Sequence, residues 1–270
     1  IIYDNFRIRS SIIKYLFYLR KNKPKIILSI SRETNLVLGL IKVFLDYNPK
    51  LIFREASTKE FMKTEIPNSQ LLSKLLHKYF PFIIRLLISF YYSKCSKIIV
   101  SSKDVADDIR SFLLFKKPKI KVIPPPVLPE EFNKNNILNC EDPWIKDKSL
   151  KVILGVGRLC KQKRFDILIK AFSIVHKKHK NTRLIICGQG QDKEKLLMLA
   201  NSLNISEFVS LKGFLPDPYP YFKGADIFCL SSEYEAFGLV LIEAMAFGTK
   251  IVTTNCRGGP NSVFNKNKYI

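Results

Sequence analysis

The sequence predicts an α/β protein with parallel sheets of the doubly wound kind. Three observations predict it. Short apolar runs recur along the 270 residues, helix-length amphipathic segments separate them, and most runs are continuously apolar. Strands covered on both faces read that way, whereas half-exposed strands alternate.

Expected strands are 24–30, 50–54, 97–101 and 120–123 in the first half, then 151–156, 183–187, 207–211, 226–231 and 250–254. Residues 165–179 place Ile167, Leu168, Ala171, Phe172 and Val175 on one helical stripe, and 192–203 repeats this with Leu196, Leu197, Ala200 and Leu203. The pattern lapses between about 124 and 149, where Pro124-Pro125-Pro126 and Pro129 precede Asn133, Asn135, Asn136 and Asn139. Polyproline is stiff and extended. The expected organisation is therefore a first domain over 1–128, a linker over 129–149 and a second domain over 150–270.

Segment 71–93 is the most apolar part of the first domain, punctuated by Lys74, His77, Lys78 and Arg85, and Pro81 is expected to break it. Two readings stand: a helix lying in the plane of a membrane surface, or a helix packed on its own sheet with snorkelling lysine stems.

Composition narrows the class. Hydrophobic residues are 47% and charged residues 25%, which excludes a disordered or collagen-like chain. The formal charge of +22 predicts an anionic partner without saying whether it is phosphate, lipid head group or nucleic acid. Residues 1–128 carry 24 Lys and Arg against 9 Asp and Glu, so most of the excess lies there. The six cysteines form no C-x2-C pair and read as reduced thiols of a cytosolic protein. No uninterrupted apolar stretch of about 20 residues predicts a membrane span. The chain opens Ile1-Ile2-Tyr3-Asp4 with no signal peptide, so the numbering is expected to begin inside a longer protein.

Chemistry concentrates after two strands. In 226–248 a buried strand ends at Ser231-Ser232, an acidic loop follows, and Gly238 opens a helix. Glu235 belongs to that loop and Glu243 to the helix's second turn. Glu243 sits among Leu239, Val240, Leu241, Ile242, Ala244, Met245 and Ala246, where an unpaired charge is costly. With the amides around Phe237, Gly238 and Leu239, the two carboxylates could take hydroxyls and a phosphate. Alone, they could equally be a cap and a solvated side chain. Upstream, 155–172 carries Arg158 and Lys163 in a turn between strand and helix, which is either a diphosphate clamp or a charged turn. Gly188-Gln189-Gly190 is a further tight turn at the same edge.

The pattern G-R-L-x-x-x-K at 157–163, GQG at 188–190, GF at 213–214 and E-x-F-G-x-x-x-x-E-A-M-A-x-G at 235–248 resembles glycosyltransferase family 4. The resemblance is dense over 150–264 and looser over 24–128. It implies the GT-B fold, two Rossmann-like domains, here both incomplete at the chain ends, and retaining transfer from a nucleotide-diphosphate sugar, UDP-linked in the first instance. Arg158 and Lys163 would neutralise the donor's departing phosphate. Glu235 would face the donor sugar, with the amides of Phe237, Gly238 and Leu239 beside it, and Glu243 would take the ribose hydroxyls. Gly157, Gly188 and Gly190 would line the donor pocket, and Gly213 and Phe214 its base wall. No metal or other cofactor is implied. His176 and His179 are expected to be solvated, and no metal-ligand cluster is expected.

The sequence departs from the family in three places. Glu55, within Phe53-Arg54-Glu55-Ala56-Ser57, stands where many members carry a histidine close to the donor sugar, and the resemblance implies a contribution from it out of the first domain; the glycine that commonly follows the loop lysine is Arg164; and further strand–helix units would be expected beyond both ends. The expected acceptor is a saccharide or lipid-linked saccharide of cell-envelope polysaccharide or glycolipid synthesis, met by a peripheral protein at the inner, anionic face of a membrane. Two other readings are an inactive remnant of such an enzyme and a basic nucleic-acid-binding α/β module. No nucleic-acid motif is present, so no nucleic-acid partner is expected.

Overall fold

The structure is a computed structural model and describes residues 8–55, 72–115 and 118–264. The chain divides into two compact units, Ile1–Pro124 and Pro125–Ile270.

The first unit runs α1 (Ile8–Asn22), β1 (Ile26–Ile30), α2 (Arg32–Val43), β2 (Lys50–Glu55), α3 (Leu72–Ser93), β3 (Lys97–Val100), α4 (Lys103–Phe112) and β4 (Lys119–Val122). Its four strands are parallel, in the order β1-β2-β3-β4. Alternate residues Leu51, Phe53, Ile98 and Val100 face the helices and pack against Ile88, Tyr92, Val105, Ala106 and Ile109. Each such burial is worth about 1.5–3 kcal/mol.

α3 continues through Pro81 instead of breaking there. Proline costs a helix one internal hydrogen bond, and the two faces of its second half show what the helix gains. Ile88, Ser89 and Tyr92 are buried against the sheet, and Phe53 meets Tyr92 edge to face at 5.3 Å. Phe82, Ile83, Leu86, Leu87 and Phe90 form an opposite, exposed apolar stripe. Arg85 belongs to neither face: its guanidinium donates to the carbonyls of Phe112 at 2.8 Å and Ser111 at 2.9 Å, at the end of α4. A cation there meets the negative end of the helix dipole. Of Lys74, His77 and Lys78 only the backbone is described, and Ala56 and Ser57 lie outside the described residues. Among the described residues no helix is long and apolar enough to cross a membrane.

The second unit runs α5 (Pro143–Lys146), β5 (Lys151–Val156), α6 (Phe165–Lys178), β6 (Thr182–Cys187), α7 (Lys193–Ser202), β7 (Val209–Gly213), α8 (Tyr219–Gly224), β8 (Ile227–Leu230), α9 (Leu239–Phe247), β9 (Lys250–Thr253) and α10 (Gly259–Val263). Its five strands are parallel, in the order β7-β6-β5-β8-β9. The chain starts in the middle, winds outward through β6 and β7, then returns to the other side of β5. Strand order thus reverses between β5 and β8, where the outgoing loops diverge and leave a crevice at the carboxyl edge.

Two expectations change here. Residues 129–149 do not behave as a free linker: Cys140 and Ile145 are buried in the second core, the Phe132 ring lies 5.5 Å from that of Phe247, and Lys223 Nζ donates to the Ile137 carbonyl at 2.6 Å. The unit boundary accordingly falls at Pro124–Pro125. His176, expected to be solvated, is buried. Its ring stacks on Phe208 at 4.0 Å, and its Nδ1 lies 3.2 Å from Thr182 Oγ1. The lysines around it point outward while the imidazole fills the apolar side of α6.

Burial, with Lys180 and Arg183 nearby, holds the His176 pKa below its ordinary value of 6.5. The folded state therefore resists a proton that the unfolded chain accepts, and stability falls as pH drops below about 6.5. Replacing His176 by Phe keeps the stack and removes the proton site. Urea unfolding at pH 7.5 and 5.5 is expected to show a smaller loss of stability on acidification in His176→Phe than in the unaltered protein.

Candidate active site

The crevice between β5 and β8 is walled by two turns. After β5, residues 157–164 include the tight helical turn Lys161–Lys163, which closes with Arg164 in the left-handed region at φ 48°. After β8 come residues 231–238, where Gly238 at φ 79° caps the start of α9.

Four hydrogen bonds tie these turns, which lie some 70 residues apart along the chain, and a fifth, within the second turn, supports them. Glu233 N–H donates to the Gln162 carbonyl at 2.9 Å, and Gln162 Nε2 donates to the Tyr234 carbonyl at 2.8 Å. Ser231 Oγ donates to the Lys163 carbonyl at 2.7 Å. Lys163 Nζ donates to Glu235 Oε1 at 2.6 Å, and Ser232 Oγ donates to the same oxygen at 2.7 Å. The lysine and glutamate side chains are only 14% and 9% exposed, so the pair lies largely out of water. A third turn backs them. Thr254 Oγ1 donates to the Ser232 carbonyl at 2.6 Å, and Glu235 N–H donates to the Arg257 carbonyl at 3.0 Å. A Cβ on Gly258 would fall 1.5 Å from the Glu235 carbonyl oxygen, so only glycine fits there.

Glu243 sits half-buried on the second turn of α9. Burial pushes its carboxyl above the usual carboxylate range, and the Lys163 charge pulls partly the other way. One ammonium thus serves two carboxylates, strongly at Glu235 and through space at Glu243.

The glycine turns close the other side. Gly157 N–H donates to the Cys187 carbonyl at 2.9 Å, and Gly188 N–H to the Gly213 carbonyl at 2.7 Å. A Cβ on Gly188 would lie 1.8 Å from the Gly157 oxygen. The ends of β5, β6 and β7 are thereby zipped edge to edge, and Gly190 packs on the Leu159 carbonyl in the same way. Phe214, just past β7, is 65% exposed, whereas Phe237 is buried and Leu239 is exposed.

The structure brings Gly157, Lys163, Gly188, Gly190, Gly213, Phe214, Glu235, Phe237, Gly238, Leu239 and Glu243 to one carboxyl edge. It does not join Arg158 to the pair: that side chain is exposed and forms no ion pair among the described residues. Glu55, at the end of β2 in the first unit, is 1% exposed, and its carboxylate accepts from the Tyr92 hydroxyl at 2.6 Å with Arg32 Nη2 at 3.6 Å. It is an internal anchor of that unit. Burial and the Glu55 charge push the Tyr92 phenol well above its ordinary pKa. Gln162, Ser231, Ser232 and Thr254 were not anticipated as site residues. The spacing Ser-x-x-Glu at 232–235 was the legible signal, since a serine hydroxyl commonly bonds a group a few residues away. Among the described residues no His, Cys, Asp and Glu cluster could hold a metal ion.

The family model described as "Glycosyl transferases group 1" matches residues 141–270, the whole of this site included. Over these residues the chain is similar to that glycosyltransferase family. A protein of Methanocaldococcus jannaschii named as an uncharacterized glycosyltransferase is 29% identical over 96% of this chain and 62% of its own length. A Campylobacter jejuni enzyme, named N-acetylgalactosamine-N,N'-diacetylbacillosaminyl-diphospho-undecaprenol 4-alpha-N-acetylgalactosaminyltransferase, is 29% identical over 82% of this chain and 55% of its own length. The chain thus spans between half and two-thirds of these relatives. Anabaena Alr3699/HepE, solved in complex with UDP and glucose, matches with a TM-score of 0.70 at 16% identity, over 92% of this chain and 63% of that one. WaaG, titled a glycosyltransferase involved in lipopolysaccharide biosynthesis, matches at 0.68 and 17%, over 95% and 67%. The fold is that of the GT-B glycosyltransferases.

Proposed function

We propose that this glycosyltransferase chain moves a hexosyl group, with retention of anomeric configuration, from a UDP-linked sugar to a saccharide or lipid-linked saccharide acceptor of the cell envelope. The observation that carries the reading is the Lys163–Glu235 pair at the strand-order reversal of the second sheet, with Glu243 on the next turn of structure.

In this reading the bond between the anomeric carbon and the β-phosphate oxygen breaks, and its electrons go to the phosphate. The acceptor hydroxyl oxygen bonds the same face of that carbon, and its proton passes to the departing phosphate. Negative charge grows on the diphosphate, where Lys163 offers an ammonium in a partly dry site and Arg158 a guanidinium from the turn's exposed side. Glu235 accepts hydroxyls of the donor sugar, and Glu243 those of the ribose. The amides of Phe237, Gly238 and Leu239 stand at the start of α9, where helix N–H groups favour a phosphate. Gly213 and the exposed Phe214 supply the base wall, and Gly157, Gly188 and Gly190 bring backbone close to the diphosphate. With cationic side chains on the leaving group, the reaction calls for no metal.

Two features favour a membrane-bound acceptor met at the inner, cytoplasmic face. The exposed stripe Phe82, Ile83, Leu86, Leu87 and Phe90 lies in the half of the chain with the larger basic excess. The Campylobacter relative's name gives it an undecaprenol-linked acceptor, and an Acholeplasma laidlawii relative is named alpha-monoglucosyldiacylglycerol synthase. No part of the reading calls for nucleic acid.

Calorimetric titration tests the donor half. UDP is expected to bind, and Lys163→Ala to weaken it at least tenfold, as loss of a charged hydrogen bond does. Binding of no nucleoside diphosphate, with steeply salt-dependent binding of an oligonucleotide instead, overturns the reading. For the membrane half, the protein is expected to float with phosphatidylglycerol vesicles at low salt, and Phe82→Ser/Leu86→Ser to float less. Failure of the unaltered protein to float removes that half alone.

A further inference from the structure

Ser231 and Ser232 follow β8 directly, and their hydroxyls reach different partners in the same ion pair. Ser231 Oγ holds the backbone carbonyl of Lys163, while Ser232 Oγ holds the carboxylate of Glu235. Ser232 is 1% exposed and is itself pinned, because its carbonyl accepts from Thr254 Oγ1 at 2.6 Å.

The distribution of donors on Glu235 is uneven. Oε1 accepts from both Lys163 Nζ and Ser232 Oγ, and Oε2 accepts from neither. The terminal torsion of a glutamate is broad and roughly two-fold. A lysine on its flexible four-carbon stem, with three rotatable donors, does not choose between the two oxygens. The serine does. Its hydroxyl reaches Glu235 from three residues back along the same turn, so it arrives from one fixed direction.

We propose that Ser232 is a positioning residue for recognition of the donor sugar: its hydroxyl fixes Glu235 Oε1, so that Oε2 is the oxygen offered to a sugar hydroxyl. The ligand class is the hexosyl hydroxyls of a nucleotide-diphosphate sugar. Nothing in the role requires Ser232 to touch that ligand. The proposal rests on the reading of Glu235 given above.

The test compares each nucleotide sugar with its parent diphosphate, so that diphosphate binding cancels. UDP, UDP-glucose, UDP-galactose, UDP-N-acetylglucosamine, GDP and GDP-mannose are titrated into the unaltered chain, Ser232→Ala and Ser232→Thr. Urea unfolding followed by Trp144 fluorescence checks that each variant is folded. For the sugar that the unaltered protein favours most, Ser232→Ala is expected to keep its affinity for the diphosphate within about twofold. Its affinity for the nucleotide sugar is expected to fall about tenfold or more, and Ser232→Thr, which keeps the hydroxyl, to recover most of it. Equal losses for diphosphate and nucleotide sugar would make Ser232 merely structural and overturn the proposal, as would a ratio unchanged in Ser232→Ala. If the unaltered chain binds no nucleoside diphosphate, the donor reading fails first and the proposal falls with it. That outcome is visible before any variant is made.

Discussion

Everything at this site depends on one contact, the bond from the Lys163 ammonium to Glu235 Oε1 at 2.6 Å. Two charges withdrawn this far from water cost several kcal/mol each in solvation, which their attraction offsets only when the geometry is good and further hydrogen bonds help. The surrounding turns supply both. The lysine's carbonyl is held by Ser231, the glutamate's carboxylate by Ser232 and its backbone by the third turn. The winding of the sheet puts these turns side by side, because β5 and β8 are neighbours whose chain connections leave in opposite directions.

The same arrangement explains where glycine is required. Gly188 and Gly258 are not loosening devices. Each permits a backbone-to-backbone approach that a Cβ would fill, and each serves a different wall of the crevice. The exposed Phe214 follows β7, and the half-buried Glu243 stands on α9 within the field of the Lys163 charge.

Much of this was legible in the sequence, and the failures share a cause. Apolar runs marked the nine strands of the described residues to within a few residues, most sharply the central β5 and β6, which helices bury on both faces. The spacing of Glu235 and Glu243 and the basic turn at 158–163 pointed to two turns that the fold brings together. What stayed hidden depends on tertiary partners. His176 looked solvated beside its lysines until Phe208 and Thr182 closed over it. Pro81 looked like a break, yet α3 runs on through it. The asparagine-rich stretch at 129–149 looked like a tether, although Cys140 and Ile145 are core. Of the basic residues described in that turn, Lys163 is the one paired with Glu235, and no one-dimensional pattern distinguishes it from Arg158.

The ion pair's strength can be measured without any ligand. The chain has a single tryptophan, Trp144, and it lies against the second unit's core, so its fluorescence reports that unit alone. A double-mutant cycle of Lys163→Met, Glu235→Gln and the combined variant, followed by urea unfolding, isolates their coupling. A coupling of about 1.5 kcal/mol or more is the result this account predicts, as for a buried, charge-assisted hydrogen bond. Additivity to within about 0.3 kcal/mol would contradict it, since the two turns would then stand side by side without depending on each other.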